Sequence, residues 1–424
     1  MSPLPFLILL LISLPFQVIS QNHSTADEHT ILLKLKQQLG NPPSLQSWNS
    51  TSSPCDWPEI VCTGNSVTEI LLPSKNITQK IPATICDLKN LTTLDLGDNF
   101  ISGEFPRQLY NCTKLQVLNL SLNHFVGPIP DDIDRISGLR FLRLGYNNFS
   151  GDIPPAIGRL SELQQLNLYG NEFNGTFPVE IGNLSNLQAL GLTYNDKFVP
   201  AKIPVEFCKL KNLRTLHFGE TNLIGEIPDC LNNLSSLEFL DLSRNHLEGK
   251  IPSWVFTLKN LTILYLYSNR LSGKIPETVE TLNLVEIDLS ENNLTGSLPK
   301  DFGKLQNLKL LHLFSNQLTG VLPQELGLHS KLEHIAGARM CHEVGMDINE
   351  GSKRSVNLTQ LVQKGKVVAA VNSPSKKAKD GARLFFDKRI VWSKAESGDD
   401  NVETVLYVLT LGLSLGKRWS VERK

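Results

Sequence analysis

The chain has almost none of the residue patterns that chemistry or membrane insertion requires. No segment has the length of a bilayer span: the longest apolar runs are 13 residues at 4–16 and 14 residues from Val402 to Leu415, against about 20 needed for a helix to cross. No glycine-rich phosphate loop, Val-Ala-x-Lys or His-Arg-Asp occurs, so phosphoryl transfer has no recognisable machinery. Asp301-Phe302-Gly303 spells a magnesium-binding triplet, but Phe302 and Leu305 fall in apolar slots and no partner motif accompanies it. The nine histidines are scattered without metal-ligand spacing. No nucleophile elbow frames any serine. An excess of charge of either sign is also lacking: the net value is −1, which gives no reason to invoke nucleic acid or an anionic membrane surface. No catalytic residue, metal or cofactor is therefore expected.

What is present is a repeat. From Leu139 the chain reads LRFLRLGYNNFSGDIPPAIGRLSE, and the frame restarts 24 residues later at Leu163. Eleven such units begin at Val67, Leu91, Leu115, Leu139, Leu163, Leu187, Leu213, Leu237, Leu261, Leu284 and Leu308, all 24 long except a 26-residue unit after Leu187 and a 23-residue unit after Leu261. This is a leucine-rich repeat array, and such a period predicts a solenoid. Leu-x-x-Leu-x-Leu makes a short strand whose alternate residues point inward. One unit cannot bury that face, so neighbours stack around a shared core. An asparagine recurs at Asn99, Asn123, Asn147, Asn171, Asn195, Asn245, Asn269, Asn292 and Asn316, with Lys75 and Thr221 as the exceptions. A buried amide at a turn must find partners, which predicts a ladder of hydrogen bonds to backbone groups. A proline in every unit, from Pro82 to Pro323, predicts extended backbone rather than a long helix on the outer side.

The start of the chain points outside the cell. Residues 1–20 read as a secretory signal peptide with cleavage before Gln21. Thirteen Asn-x-Ser/Thr triplets follow, at Asn22, Asn49, Asn76, Asn90, Asn111, Asn119, Asn148, Asn174, Asn183, Asn233, Asn260, Asn293 and Asn357. In the secretory pathway these are glycan acceptors, although Asn119 lies on a strand and is expected to stay bare. Residues 21–66 read as an N-terminal cap. Ile31, Leu32, Leu35 and Leu39 have helical spacing from Asp27 onward, and Cys55 and Cys62 sit seven apart beyond Trp48. In an oxidising compartment that pair is a disulfide staple, a metal site being the competing reading. Cys86 with Cys112, and Cys208 with Cys230, sit at matching depths in adjacent repeats; sequence leaves bridges and buried thiols equally open. Cys341 is the odd one.

The pattern Trp48, Cys55, Trp57, Cys62 followed by Leu-x-x-Leu-x-Leu-x-x-Asn-x-Leu-x-Gly-x-Ile-Pro resembles the ectodomains of plant leucine-rich-repeat receptor-like kinases. PCDWPEIVC, GEFPRQLYNC and VGPIPDDID are most similar to the HAESA-like group. Over residues 1–332 the resemblance implies an α/β repeat solenoid, a plant-type superhelix with a helical, disulfide-stapled N-terminal cap. It implies recognition of a secreted peptide or protein ligand outside the cell, with a leucine-rich-repeat co-receptor docking beside it. In that family a membrane span and a Ser/Thr kinase follow, and a late Arg-x-Arg pair reads the peptide carboxylate. Here Leu310, His312 and Phe314 stand at the late positions instead. A twelfth unit opens at Leu332, but HIAGARMCHEV is expected to replace its strand, leaving Leu308, Leu311 and Leu313 unshielded. Residues 332–424 read as a non-repeat tail, with 345–400 expected to be disordered. Its stretch from 333 carries 16 Lys and Arg against 11 Asp and Glu, including Lys376, Lys377, Lys379, Lys388 and Arg389.

The remaining candidate site is a surface. Concave positions of successive repeats supply Phe141, Arg143 and Tyr146, then Tyr169, Tyr194, His217 and Glu220, with Tyr265, Tyr267, His312 and Phe314 beyond. Tyr and Arg dominate interface hot spots, so the Arg143–Glu220 strip is the expected ligand groove. Asp95, Asp241 and Asp288 belong to a common Leu/Ile-Asp-Leu spelling and carry less weight. The 26-residue unit, with Asp196 to Ala201 in place of the glycine segment, predicts a local bulge. A different class of function, a secreted inhibitor of pathogen cell-wall-degrading enzymes resembling the polygalacturonase-inhibiting proteins, would need a C-terminal cysteine cap, and only Cys341 follows the repeats.

Overall fold

The computed structural model describes residues 23–336 apart from 321, 324 and 327–330. The signal peptide, Asn22, Cys341, Asn357 and the basic tail, including the Val402–Leu415 run, lie outside the described residues. Each Leu-x-x-Leu-x-Leu becomes a strand of about three residues, and the strands stack in chain order into one 13-stranded sheet from Ile60–Thr63 to His334–Ala336. The first pair is antiparallel; the later pairs are parallel and in step, so Leu94, Leu118, Leu142 and Leu166 form one fully buried row. Parallel sheets are normally covered on both faces. Here every return path runs behind the sheet, so the concave face is left open to solvent.

Behind the sheet the chain comes back through short 3-10 turns such as Pro155–Arg159, Val179–Asn183 and Val205–Lys209. Each follows a proline, Pro154, Pro178 or Pro204, which fixes φ and stops helix from extending backward. The turns drop Ile157, Ile181 and Phe207 into the core without exposure. Phenylalanines fill the remaining depth, with Phe125 and Phe149 stacked at 5.9 Å and Phe173 and Phe198 at 6.0 Å. Phe302, of the Asp-Phe-Gly triplet, is another of these core residues, fully buried, while Asp301 accepts from Lys304 at 2.7 Å.

The asparagine ladder is built as its spacing predicts. Asn147 Nδ2 donates to Leu120 O at 3.0 Å and Leu144 O at 3.1 Å, and its Oδ1 accepts from Phe125 N at 3.0 Å. One side chain thus joins two repeats. At Thr221, one of the two exceptions, the side-chain link to the preceding repeat is missing: its hydroxyl donates to Phe218 O of its own repeat at 2.8 Å, and the neighbouring Asn222 Nδ2 reaches back instead to Asp196 O at 2.8 Å and Phe198 O at 2.9 Å. A second, shallower set of ladders follows the Asn row: four strands between Ser102 and Phe173, two between Ile224 and Leu247, and three between Ser272 and Leu318.

The cap helix spans His23–Gln38, starting four residues earlier than Asp27, and buries Leu32 and Leu35 completely. Cys55 and Cys62 are bridged, with Cα atoms 5.6 Å apart. Trp48 and Trp57 stack at 5.3 Å. Buried Glu59 ties the cap to the first repeat, accepting from Lys75 Nζ at 2.7 Å, Trp48 Nε1 at 3.1 Å and Ser47 Oγ at 3.1 Å. Burial pushes its carboxyl up, but these three donors outweigh it and hold Glu59 below the usual carboxylate range. Two further bridges join adjacent repeats on the outer side, Cys86–Cys112 and Cys208–Cys230, closing the question the sequence left open.

One expectation is overturned. The twelfth unit does make a strand: His334–Ala336 pairs in parallel with Leu310–His312, Ile335 falling opposite Leu311. A strand needs only its inward residues, and Leu332 and Ile335 supply them at 2% and 7% exposure. Leu308 and Leu311 are consequently fully buried and Leu313 is 3% exposed, not unshielded.

Candidate functional site

The outward strand positions of the long sheet, partly exposed, carry the variable residues in parallel rows, and Phe141, Arg143 and His217 lie among them. Phe141 and Arg143 share one strand. The Arg143 guanidinium lies 5.7 Å from the Phe141 ring and donates twice to Gln165 Oε1, at 3.0 and 3.2 Å. Tyr146, 39% exposed, lies over Gly170, where a Cβ would stand 2.7 Å from its ring. Tyr169 covers Gly191 in the same way, with a Cβ there falling 2.0 Å from the ring. These close approaches are why glycine occupies both positions. Burial pushes the Tyr169 phenol up to about 12.

His217 sits between Tyr169, at 5.6 Å, and Phe239, on which it stacks at 4.0 Å. Burial pushes His217 down to about 4, so it is a neutral aromatic surface at physiological pH. Phe239 meets Tyr265 edge-on at 5.6 Å, and Tyr265 meets Tyr267 at 6.2 Å. A continuous aromatic track thus crosses the repeats that begin at Leu163, Leu187, Leu213, Leu237 and Leu261. Tyr194, 51% exposed, and Glu220 flank the track on its ladder side. Glu220 is engaged by Arg244 at 3.5 Å, and the Arg244 guanidinium lies 5.9 Å from the Tyr267 ring.

Tyr169, His217 and the tyrosines are therefore brought together, while Arg143 with Phe141 forms a separate cluster on the strand before that of Tyr169, Arg143 pairing with Asn167. Two participants escape the sequence reading, Phe239 and Arg244. Phe239 occupies the same strand position as Phe141, two strands along from Ala189, and that equivalence is the signal that could have found it. Tyr146, Tyr194, Glu220 and Arg244 share a further property: all have positive φ, 55°, 62°, 56° and 53°. Nothing in their side-chain chemistry advertises it.

The glycan triplets divide between the two flanks. Asn111, Asn183 and Asn233 end outer 3-10 turns and are exposed. Asn76, Asn148 and Asn293 follow the ladder position and are also exposed, as are Asn174 and Asn260. Asn90 is half-buried and accepts from Lys114 at 2.7 Å. Asn49 folds its amide into the cap, donating to Ser47 O at 2.9 Å. Asn119 lies on the concave sheet, donating to Asp95 at 2.9 Å. No described helix is long and apolar enough to cross a membrane.

Residues 25–63 match the family model of the leucine-rich repeat N-terminal domain. Leucine-rich repeat models match 89–149, 162–184, 236–258, 260–282, 283–305 and 307–328. Over 83 residues the chain is 51% identical to Receptor-like protein 52 of Arabidopsis thaliana, a match spanning 20% of this chain and 10% of that protein. Among solved structures it is similar to the Arabidopsis receptor kinase HAESA in complex with the peptide hormone IDA and the co-receptor SERK1, at TM-score 0.67 and 34% identity over 74% of this chain and 58% of that one. It is also similar to the plant peptide hormone receptor RGFR1 in complex with RGF2, at TM-score 0.58 and 32% identity over 64% of this chain and 45% of that one. The chain thus spans under two thirds of the length of each of these three proteins.

Proposed function

We propose, from the premise that this chain belongs to the leucine-rich-repeat proteins and has the cap and repeats of plant receptor ectodomains, that it is an extracellular recognition module. It binds a secreted peptide or receptor partner on its concave face, and a leucine-rich-repeat co-receptor docks beside that ligand. The carrying observation is the aromatic track from Tyr169 through His217 and Phe239 to Tyr267, flanked by half-exposed Tyr194. Tyrosine rings offer large contact area with little conformational freedom to lose. An extended ligand crossing the strands would place one segment on the track and an acidic group toward Arg143. Because Leu310, His312 and Phe314 occupy the late positions, a free carboxylate is not held there by paired arginines.

Glycans at Asn76, Asn90, Asn111, Asn148, Asn174, Asn183, Asn233, Asn260 and Asn293 would decorate the flanks and outer side, leaving the concave track uncovered. The experiment is a screen of the secreted full chain against synthetic peptides of secreted plant proteins, followed by substitution. Arg143→Ala, Tyr169→Ala and Tyr194→Ala should each weaken a captured ligand, while outer-side Lys274→Ala and Lys300→Ala should not. The reverse pattern sinks the concave-face reading.

A further inference from the structure

A Leu/Ile-Asp-Leu spelling recurs at Asp95, Asp241 and Asp288, and the three aspartates occupy one row of the long sheet. In each, Oδ1 accepts a backbone N–H two residues on, from Gly97, Ser243 and Ser290, at 2.9, 2.9 and 3.0 Å. Asp241 and Asp288 also accept the Ser243 and Ser290 hydroxyls, at 2.6 and 2.5 Å, and what sets Asp241 apart is the donor from the next strand. Asp95 receives Asn119 Nδ2 at 2.9 Å, and Asp288 Oδ2 receives His312 Nδ1 at 3.0 Å. At the same place beside Asp241 stands Tyr265, whose hydroxyl donates to Glu286 instead. The preceding strand offers His217, held neutral by its burial. Asp241 is nevertheless the most buried of the three, 9% exposed.

The surroundings favour a cation. Oδ2 faces Gly219, where a Cβ would come within 2.9 Å, so the glycine keeps an approach open. Tyr265 and Tyr267 stand near enough that burial, with the Asp241 charge adding to it, raises their phenols, Phe239 meets Tyr265 edge-on, and such rings attract a cation, a guanidinium above all. Glu286 and Asp288 add negative charge on the next strand but one. The nearest resident cation, Arg244, is turned to Glu220 and the Tyr267 ring. Burial pushes the Asp241 carboxyl up and outweighs the two Ser243 donors and the charge of Arg244, so a ligand that brings a cation into direct contact recovers part of the cost of burying it.

We propose that Asp241, among Phe239, Tyr265 and Tyr267, is the receiving site for an arginine side chain of the ligand. The inference rests on the concave-face reading and specifies what one part of that face selects. The probe is independent of the natural ligand: acetyl-Gly-Arg-Gly-amide, with its citrulline counterpart, which keeps the shape and loses the charge. Titrated into the glycosylated full chain and followed by tyrosine fluorescence, the arginine peptide should bind at least about tenfold more tightly than the citrulline one, as one charge-assisted hydrogen bond allows. Asp241→Asn should abolish the preference.

Should Asp241→Asn fail to fold, Tyr265→His provides a second arm. It installs the next-strand donor that His312 gives Asp288, and should remove arginine binding while leaving the melting temperature unchanged or higher. Equal binding of the two peptides, or a preference that survives either substitution, overturns the assignment. That failure would leave the broader reading standing, because loss of a captured ligand in Tyr194→Ala does not depend on the arginine probe. Conversely, arginine selectivity with no ligand lost on concave substitution would retain the subsite and sink the broader reading.

Discussion

Tyr146 and Asn147 are neighbours in the chain and follow opposite rules. The equivalents of Asn147 in the next repeats are Asn171, Asn195, Thr221, Asn245 and Asn269, nearly invariant and nearly all buried. The equivalents of Tyr146 are Gly170, Tyr194, Glu220, Arg244 and Ser268, five residue types in six repeats, all at positive φ. The backbone uses the first side chain as a part, so its type is fixed. It uses only the conformation of the second, so chemistry there is free to serve a partner. The left-handed turn costs about 1 kcal/mol or more for a residue with a Cβ, and the ladder bonds on its far side hold it in place.

The contrast can be broken most severely from the ladder side. Asn147→Ala would take the Oδ1 acceptor from Phe125 N and one donor each from Leu120 O and Leu144 O, which keep Asn123 Nδ2 and Asn171 Nδ2, and should cost on the order of 4 kcal/mol, about 2 for the orphaned N–H and about 1 for each lost bond. Urea unfolding would read it, and a loss below 1 kcal/mol would mean the ladder is not what binds the repeats. Next comes the cap. Cys55 and Cys62 should resist alkylation in the native protein until a reductant is added, and removing the bridge should cost roughly 2–4 kcal/mol. Free labelling of both thiols without reductant would contradict the pairing.

On the variable side the effect belongs to binding. Tyr194→Ala should weaken a confirmed ligand by at least about 2 kcal/mol, roughly thirtyfold, yet move stability by under about 0.5 kcal/mol, as expected of an exposed position. A stability loss matching the ladder's would erase the distinction.

Acid separates the cap from the repeats. The folded-state pKa of Glu59 is lowered, so its contribution is present above the unfolded value of about 4.3 and is lost as pH falls through the folded value. Glu28 is shifted the opposite way, raised by burial against a hydrogen bond from Val67 N, so its term weakens as pH rises through the folded value. Glu59→Gln should therefore lower stability at pH 7 and flatten the acid limb of a pH–stability curve, whereas an unchanged limb would remove Glu59 from the account. Smallest of all, Leu122→Gly, at φ 56° and 43% exposed, should stabilise by up to about 1 kcal/mol; a loss would show that the turn is not strained.

The same division explains what could be read from sequence. Leu142, Asn147 and Pro154 were legible because one physical job recurs at a fixed spacing. The strand at His334–Ala336 was not, since HIAGARM lacks the leucine spelling while Leu332 and Ile335 still fill the inward slots. The Cys86–Cys112 and Cys208–Cys230 bridges needed coordinates, because depth in a repeat does not fix which thiols meet. Positive φ at Tyr146, Tyr194 and Glu220 left no trace, as residue type announces that conformation only when glycine or asparagine holds it. Phe239 was passed over because tyrosine and arginine carry the usual weight at interfaces, whereas its importance comes from stacking on His217.

The shallow ladders beside the Asn row differ from the concave sheet in their continuity. The concave sheet runs unbroken through 13 strands, but the shallow set stops after Phe173 and again after Leu247, and the isolated bridges Ala201–Leu223 and Lys250–Ser272 span what is missing. The inner sheet is thus the one ladder that runs through every described repeat, and beside it single bridges and backbone bonds such as Val199 N to Gly175 O and Arg270 N to Leu247 O carry the link across each interruption.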